Sequence, residues 1–175
     1  MRAVYPGSFN PPTIGHIAIA NSAIDRFGIS ELHLAISTVA LGKEELTVPS
    51  VADRVEILRR SLSQIPEASV LETRKQLIAD IAEGYDLVIL GADKWAQLHD
   101  LSFYKDQEHM AQCLRRLPKL AVAPRNGIAV PQEILLTVPE EINSISSSQV
   151  RRGKFEWMTK EAYEIGKDRG FWGIS

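Results

Sequence analysis

Tyr5-Pro6-Gly7-Ser8-Phe9-Asn10-Pro11-Pro12-Thr13-Ile14-Gly15-His16 is the most informative run in this sequence. The apolar lead-in Ala3-Val4-Tyr5 reads as a buried strand entering a turn rich in Gly and Pro. Ile14, Ile17, Ala18, Asn21, Ile24 and Phe27 then recur at helical spacing, so a helix begins near Thr13. A strand, a tight loop and a helix start, in that order, make an anion site. The first N–H groups of a helix have no partner within it, and the helix dipole favours negative charge there. Gly7 allows the backbone to come close to a ligand, Gly15 leaves room beside the helix start, and His16 falls on the first turn.

Working outward, 175 residues fit one domain, 1–175, able to bury roughly 70% of its unfolded surface. The balance of 20 basic against 22 acidic residues argues against nucleic acid as the main partner. One cysteine, Cys113, allows no internal disulfide and suits a reducing cytoplasm; its ordinary role is helix packing. No apolar run reaches about 18 residues, so neither a membrane span nor a signal peptide is expected.

Further along, Gly28 stops the first helix, and Leu32 to Ile36 form a second strand ending at Ser37-Thr38. A polar loop, 39–49, carries Lys43. Ser50 and Asp53 resemble a capping box for a helix through Leu62. Ala68 to Glu72 reads as strand, Lys75 to Glu83 as helix, and Leu87 to Leu90 as a central parallel strand bounded by Gly91. A helix over Asp106 to Leu117 and a strand over Leu120 to Ala123 follow, then a short strand over Ile134 to Val138. Ile145 to Arg151 reads as a strand end turning into a helix start, and Thr159 to Lys167 as the final helix. Alternating strands and helices predict a three-layer, Rossmann-like, doubly wound α/β fold with a mostly parallel sheet. Its ligands bind beyond the carboxyl ends of the strands, where Gly7-Ser8, Ser37-Thr38, Gly91-Asp93 and Pro124-Arg125 converge.

Gly7-Ser8-Phe9 with Thr13-Ile14-Gly15-His16, and Ile145-Ser146-Ser147-Ser148 with Arg151, resemble the (H/T)-x-G-H and I-S-S-T/S-x-x-R motifs of the nucleotidylyltransferase superfamily. The match covers nearly the whole chain in order and spacing. The resemblance implies transfer of a nucleotidyl group from a nucleoside triphosphate, usually with Mg²⁺, to a phosphorylated acceptor. It implies that His16 donates to the developing charge, that Gly7, Ser8, Phe9 and Gly15 supply the loop, and that Ser146, Ser147 and Ser148 hold phosphates with Arg151 as a fixed cation. Thr13 stands where many relatives have His, as in phosphopantetheine adenylyltransferases. Lys43 lies where relatives keep a phosphate-contacting lysine, and Ser37 precedes it at the strand end. Such chemistry needs positioning and electrostatics rather than a protein nucleophile.

For the acceptor, Gly91-Ala92-Asp93 and Val122-Ala123-Pro124-Arg125-Asn126-Gly127 look like the nicotinamide/nicotinate mononucleotide adenylyltransferases, whose Asp contacts a nucleotide ribose. Trp95 and Tyr104 are both candidates for the ring-stacking aromatic. Glu72-Thr73-Arg74-Lys75-Gln76-Leu77 replaces the S-Y-T-x-D-T-L-like segment of the bacterial nicotinate branch. Transfer to phosphopantetheine or another phosphorylated metabolite, which Thr13 and Lys43 also favour, is the second reading. Cytidylyl transfer fits less well without the R-T-x-G-I-S-T-T signature, and a class I aminoacyl-tRNA synthetase would need a K-M-S-K-S loop. A nucleotide-binding sensor without turnover is the reading from outside enzymology. Relatives range from monomer to hexamer, which leaves a homo-oligomer open.

Overall fold

Five strands form one parallel sheet in the order β3-β2-β1-β4-β5. They are β1 (Arg2–Pro6), β2 (Glu31–Ser37), β3 (Ala68–Thr73), β4 (Leu87–Gly91) and β5 (Lys119–Ala123). The computed structural model describes residues 1–39 and 48–175. Lys43 lies outside the described residues. The helices are α1 (Ile14–Phe27), α2 (Val51–Ser61), α3 (Ile78–Ile81), α4 (Ala92–Gln97), α5 (Gln107–Arg115), α6 (Ser147–Arg151) and α7 (Lys160–Arg169), with short 3₁₀ turns between several of them. None of them is long and apolar enough to cross a membrane.

Side chains alternate across a strand, and the three layers follow directly from that. Ala3 and Tyr5, Leu32, Leu34 and Ile36, and Leu87 and Ile89 point to one face, where Ala20 and Ala23 of α1 and Val55 and Leu58 of α2 bury them. Val4, Ala35, Val88, Leu90 and Val122 point to the other, against Ile81 of α3, Ala92 of α4 and Leu114 of α5. A third cluster (Ile57, Val150, Met158, Ala162, Ile165 and Ile174) binds α2 to α6 and α7. The fold is the Rossmann-like nucleotidyltransferase architecture that the sequence predicts.

Three elements differ from the sequence expectation. The helix expected over Lys75 to Glu83 shrinks to Ile78–Ile81, because Leu77 at its N-cap offers no side-chain bond. Lys75 instead donates its N–H to Thr73 Oγ1. The strand expected over Ile134 to Val138 is a single bridge of Leu135 to Val122. It has nowhere to grow, since Pro124 just past β5 carries no N–H. The segment before Ser146 is a 3₁₀ turn, Glu140–Ser144, rather than a strand end. Helix α4 has no counterpart in the sequence reading; six residues are too few to show a period.

The chain winds outward from β1 to β3 and then returns to β4 on the other side of β1. Strand order reverses between β1 and β4, and sheets of this kind open a ligand crevice at that point, past the carboxyl ends. The loops after β1 and β4 flank it.

Candidate active site

Thr13 is the N-cap of α1, and its Oγ1 accepts from His16 N at 3.3 Å. The reciprocal bond of a capping box usually comes from Glu or Gln three residues on. Here it comes from an imidazole: Thr13 N donates to His16 Nδ1 at 3.0 Å. Thr13 Oγ1 lies 2.9 Å from the same nitrogen. An Nδ1 that accepts a backbone N–H carries no proton, so the neutral ring holds its proton on Nε2. Burial, seconded by the positive charge of Arg125, pushes the His16 pKa down to about 4. His16 is therefore a neutral donor through Nε2 at physiological pH. Phe9 meets the ring edge-on at 5.0 Å between centroids, with Tyr5 at 6.1 Å.

The loop before α1 is shaped by that packing. Phe9 has φ of +45° and its side chain is fully buried. A Cβ on Gly7 would come within 2.8 Å of the Phe9 ring, so only glycine fits there. A Cβ on Gly15 would sit 3.1 Å from Ile145 Cγ2, so Gly15 lets the second motif close onto the first.

The loop carbonyls are taken up one after another from outside. Arg54 Nη1 of α2 donates to Ser8 O at 3.1 Å. Arg151 Nη1 donates to Asn10 O at 2.5 Å, and Ser147 Oγ to Pro11 O at 2.7 Å. Thr159 N donates to Pro12 O at 3.3 Å. Carbonyl oxygens facing a phosphate would repel it. Tying them to donors from α2, α6 and the start of α7 disposes the loop for anion binding.

In the second motif the serine hydroxyls already have partners. Ser146 Oγ caps Gln149 N at 3.2 Å, and Ser148 Oγ accepts from Arg151 Nη2 at 3.4 Å. The free donors that such a turn offers a phosphate are its first backbone N–H groups.

Asp93, in the first turn of α4, pairs with Arg125 Nε at 2.7 Å, across the tails of β4 and β5. The charge of Arg125 is felt at both His16 and Tyr5, so this pair shares the crevice with the first motif. Gly91, the last residue of β4, has open space where a Cβ would go. Ser37 Oγ donates to Val39 O at 2.8 Å, which fixes the start of the loop that contains Lys43. Trp95 contacts His99 at 5.1 Å and packs on the second core cluster. Tyr104 OH donates to Leu98 O at 3.0 Å.

The structure thus gathers Gly7, Ser8, Phe9, Thr13, Gly15, His16, Ile145, Ser147 and Arg151 around one loop. Asn10, Arg54 and Trp172 also shape that loop, Trp172 Nε1 donating to Asn10 Oδ1 at 2.7 Å, and none of the three is a sequence-predicted site residue. Asn10 lies inside the motif and could have been suspected; the other two carry no local signal.

The cytidylyltransferase-like family model matches residues 4–153, which include both motifs. The chain belongs to that family. A probable nicotinate-nucleotide adenylyltransferase of Sulfurimonas denitrificans is 30% identical over 162 residues, covering 85% of this chain and 82% of that one. A phosphopantetheine adenylyltransferase of Nautilia profundicola is 33% identical over 89 residues, 51% of this chain and 54% of its own. Another, of Thermotoga neapolitana, is 25% identical over 167 residues, 92% of this chain and 91% of its own. In this cytidylyltransferase-like chain the matched segment stops before Thr159 and Trp172, which also fasten the loop before α1.

Proposed function

We propose that this chain, as one domain over residues 1–175, transfers AMP from ATP to the phosphate of a pyridine mononucleotide, nicotinate or nicotinamide, and releases pyrophosphate. Relatives over most of the chain are adenylyltransferases, which supports an enzyme rather than a sensor. The observation that carries the chemistry is the His16 ring, locked by Thr13 as the Nε2–H tautomer at the helix start beside the loop.

An oxygen of the acceptor phosphate attacks the α-phosphorus and forms a new P–O bond. The bond to the β-phosphate oxygen breaks, and its electron pair leaves on pyrophosphate. Charge grows on the non-bridging and leaving oxygens, and His16 Nε2–H donates to it. A donor already fixed in place costs no reorganisation at the moment of transfer. The backbone of Ser8 and Phe9 and the first N–H groups of α6 cradle the phosphates, while the Gly7 N–H is taken by Ala35 O at 3.0 Å and its part is to let the Phe9 ring pack. Arg151 contributes its charge while holding Asn10 O, and Lys43 adds a second cation. Asp93 accepts from the ribose, Ser37 and Arg125 line the acceptor side, and Trp95 or Tyr104 stacks on its ring.

Mg²⁺ is the expected ion. No group of three His, Cys, Asp or Glu among the described residues is arranged to hold a metal. Residues that make no cage of their own suit an ion carried on the triphosphate, the usual habit of Mg²⁺ in such sites.

Thr13 in the place of His, with the phosphopantetheine enzymes among the relatives, favours phosphopantetheine as the second acceptor. The test is pyrophosphate release from ATP and Mg²⁺ with nicotinate mononucleotide, nicotinamide mononucleotide and 4′-phosphopantetheine, and with CTP as the alternative donor. Turnover with a mononucleotide is expected. Turnover with phosphopantetheine alone selects the second reading, and ATP binding without turnover on any acceptor selects the sensor. With its single cysteine, the protein is read as cytoplasmic.

A further inference from the structure

Asn10 is fully buried in the phosphate loop, between Phe9 at φ of +45° and Pro11. Its backbone oxygen takes the bond from Arg151, and its Oδ1 accepts from Trp172 Nε1 at 2.7 Å. An indole nitrogen is a donor only, so the amide must turn its oxygen to Trp172. That leaves Asn10 Nδ2 as a buried donor with no partner among the described residues. The indole is thus what satisfies the oxygen end of this side chain. Without it, both polar ends of the amide would be orphaned in the interior, and residue 10 would have reason to rearrange.

Trp172 comes from the C-terminal turn, well past the segment shared with the family. Gly170 ends α7 in a left-handed conformation, and Trp172 itself has φ of +56°, a region non-glycine residues rarely occupy. Gly166 admits the turn. A Cβ there would stand 2.8 Å from Trp172 Cε3 and 2.9 Å from Ile174 Cδ1. The strained turn, the missing Cβ and the buried amide all serve to bring one N–H to the phosphate loop.

We propose that Trp172 is a positioning residue for nucleotidyl transfer, acting through Asn10 to set the conformation of the phosphate loop. The inference rests on the adenylyltransferase reading above.

Trp172→Phe keeps a ring and deletes the N–H. Calorimetric affinity for ATP with Mg²⁺ should fall about tenfold, and KM for ATP should rise with it, the effect of one well-formed hydrogen bond. KM for the acceptor should stay at the wild-type value. A merely structural role would reduce the folded fraction, lowering apparent kcat while ATP affinity and both KM values hold. That result overturns the proposal. Gly166→Ala is the second variant: it displaces the indole while leaving Trp172 and Asn10 chemically intact, and should reproduce the loss of ATP affinity. The double variant Asn10→Ala, Trp172→Phe should bind ATP no worse than Asn10→Ala alone; additive losses would show that Trp172 acts elsewhere. If the wild-type chain binds ATP yet turns over no acceptor, the adenylyltransferase reading fails by itself. The affinity comparison then still judges Trp172, where weakening supports its role and equality removes it.

Discussion

His16 has two edges to its ring: Nδ1 closes the helix cap, and the proposed chemistry uses Nε2–H. His16→Ala should lower kcat by about 10²–10³-fold while ATP affinity stays near wild type, read by steady-state kinetics beside calorimetry. Equal rates would remove His16 from the chemistry. The ring also predicts a pH signature. Its pKa falls from 6.5 to about 4, with burial the larger cause and the Arg125 charge the smaller. A group depressed in the folded state contributes stability that is complete above the unfolded value of 6.5 and is lost as pH falls toward about 4. Thermal melts should show that loss in the wild type and less of it in His16→Gln, which can still cap Thr13 but does not titrate. Arg125→Ala should raise the His16 pKa only part of the way, by NMR titration, because burial remains. The placement of Thr13, Gly15 and His16 at the start of α1 is legible in the sequence because it is set within one turn of helix. That of Arg54 and Trp172 is not: they reach the loop from α2 and from the C-terminal turn, and only the tertiary fold makes them its neighbours.

Between elements, the fit of loop to helix depends on missing β-carbons. Gly7→Ala would place a methyl within 2.8 Å of a Phe9 ring that is fully buried against Tyr5 and His16. The ring has no free direction to move, so a loss of about 1–3 kcal/mol in urea unfolding is expected, together with weaker ATP binding. Gly91→Ala is the control: at φ of −74° with open space around the new atom, it should leave stability within about 0.5 kcal/mol of wild type. The same scale shows what sequence periodicity can and cannot reach. Leu87-Val88-Ile89-Leu90 reads as a buried strand from composition alone, while its register, Leu87 opposite Lys119, is set by the tertiary fold. The 75–83 stretch has helical residues but no cap, and Ile134 to Val138 has strand residues beside a proline-ended neighbour. Their outcome was set by hydrogen-bond partners that spacing does not reveal.

For the molecule as a whole, the question is whether the family-matched segment, 4–153, can do without the residues after it. The sequence predicts a last helix there with no task of its own. The structure gives it three. Met158, Ala162, Ile165 and Ile174 cover Ile57 and Val150 in the third core cluster. Arg169 of α7 holds two carboxylates of α2, Asp53 at 3.0 Å and Glu56 at 3.0 Å. Thr159 N and Trp172 Nε1 fasten the loop before α1 at Pro12 and Asn10. The ion pairs keep some exposure to solvent and, as pairs near a surface, add little. The apolar cover decides the matter, since burying a side chain the size of Met or Ile contributes about 1.5–3 kcal/mol and several are lost together. A domain's whole stability is only about 5–15 kcal/mol. A chain ending at residue 153 should therefore lose its cooperative thermal transition and its ATP affinity, measured by calorimetry on the truncated and full-length proteins side by side. Retention of both would make the C-terminal segment an accessory and return the phosphate loop to the two motifs alone. Loss of ATP affinity with the thermal transition preserved would instead place the contribution of this segment in the loop, where Trp172 meets Asn10.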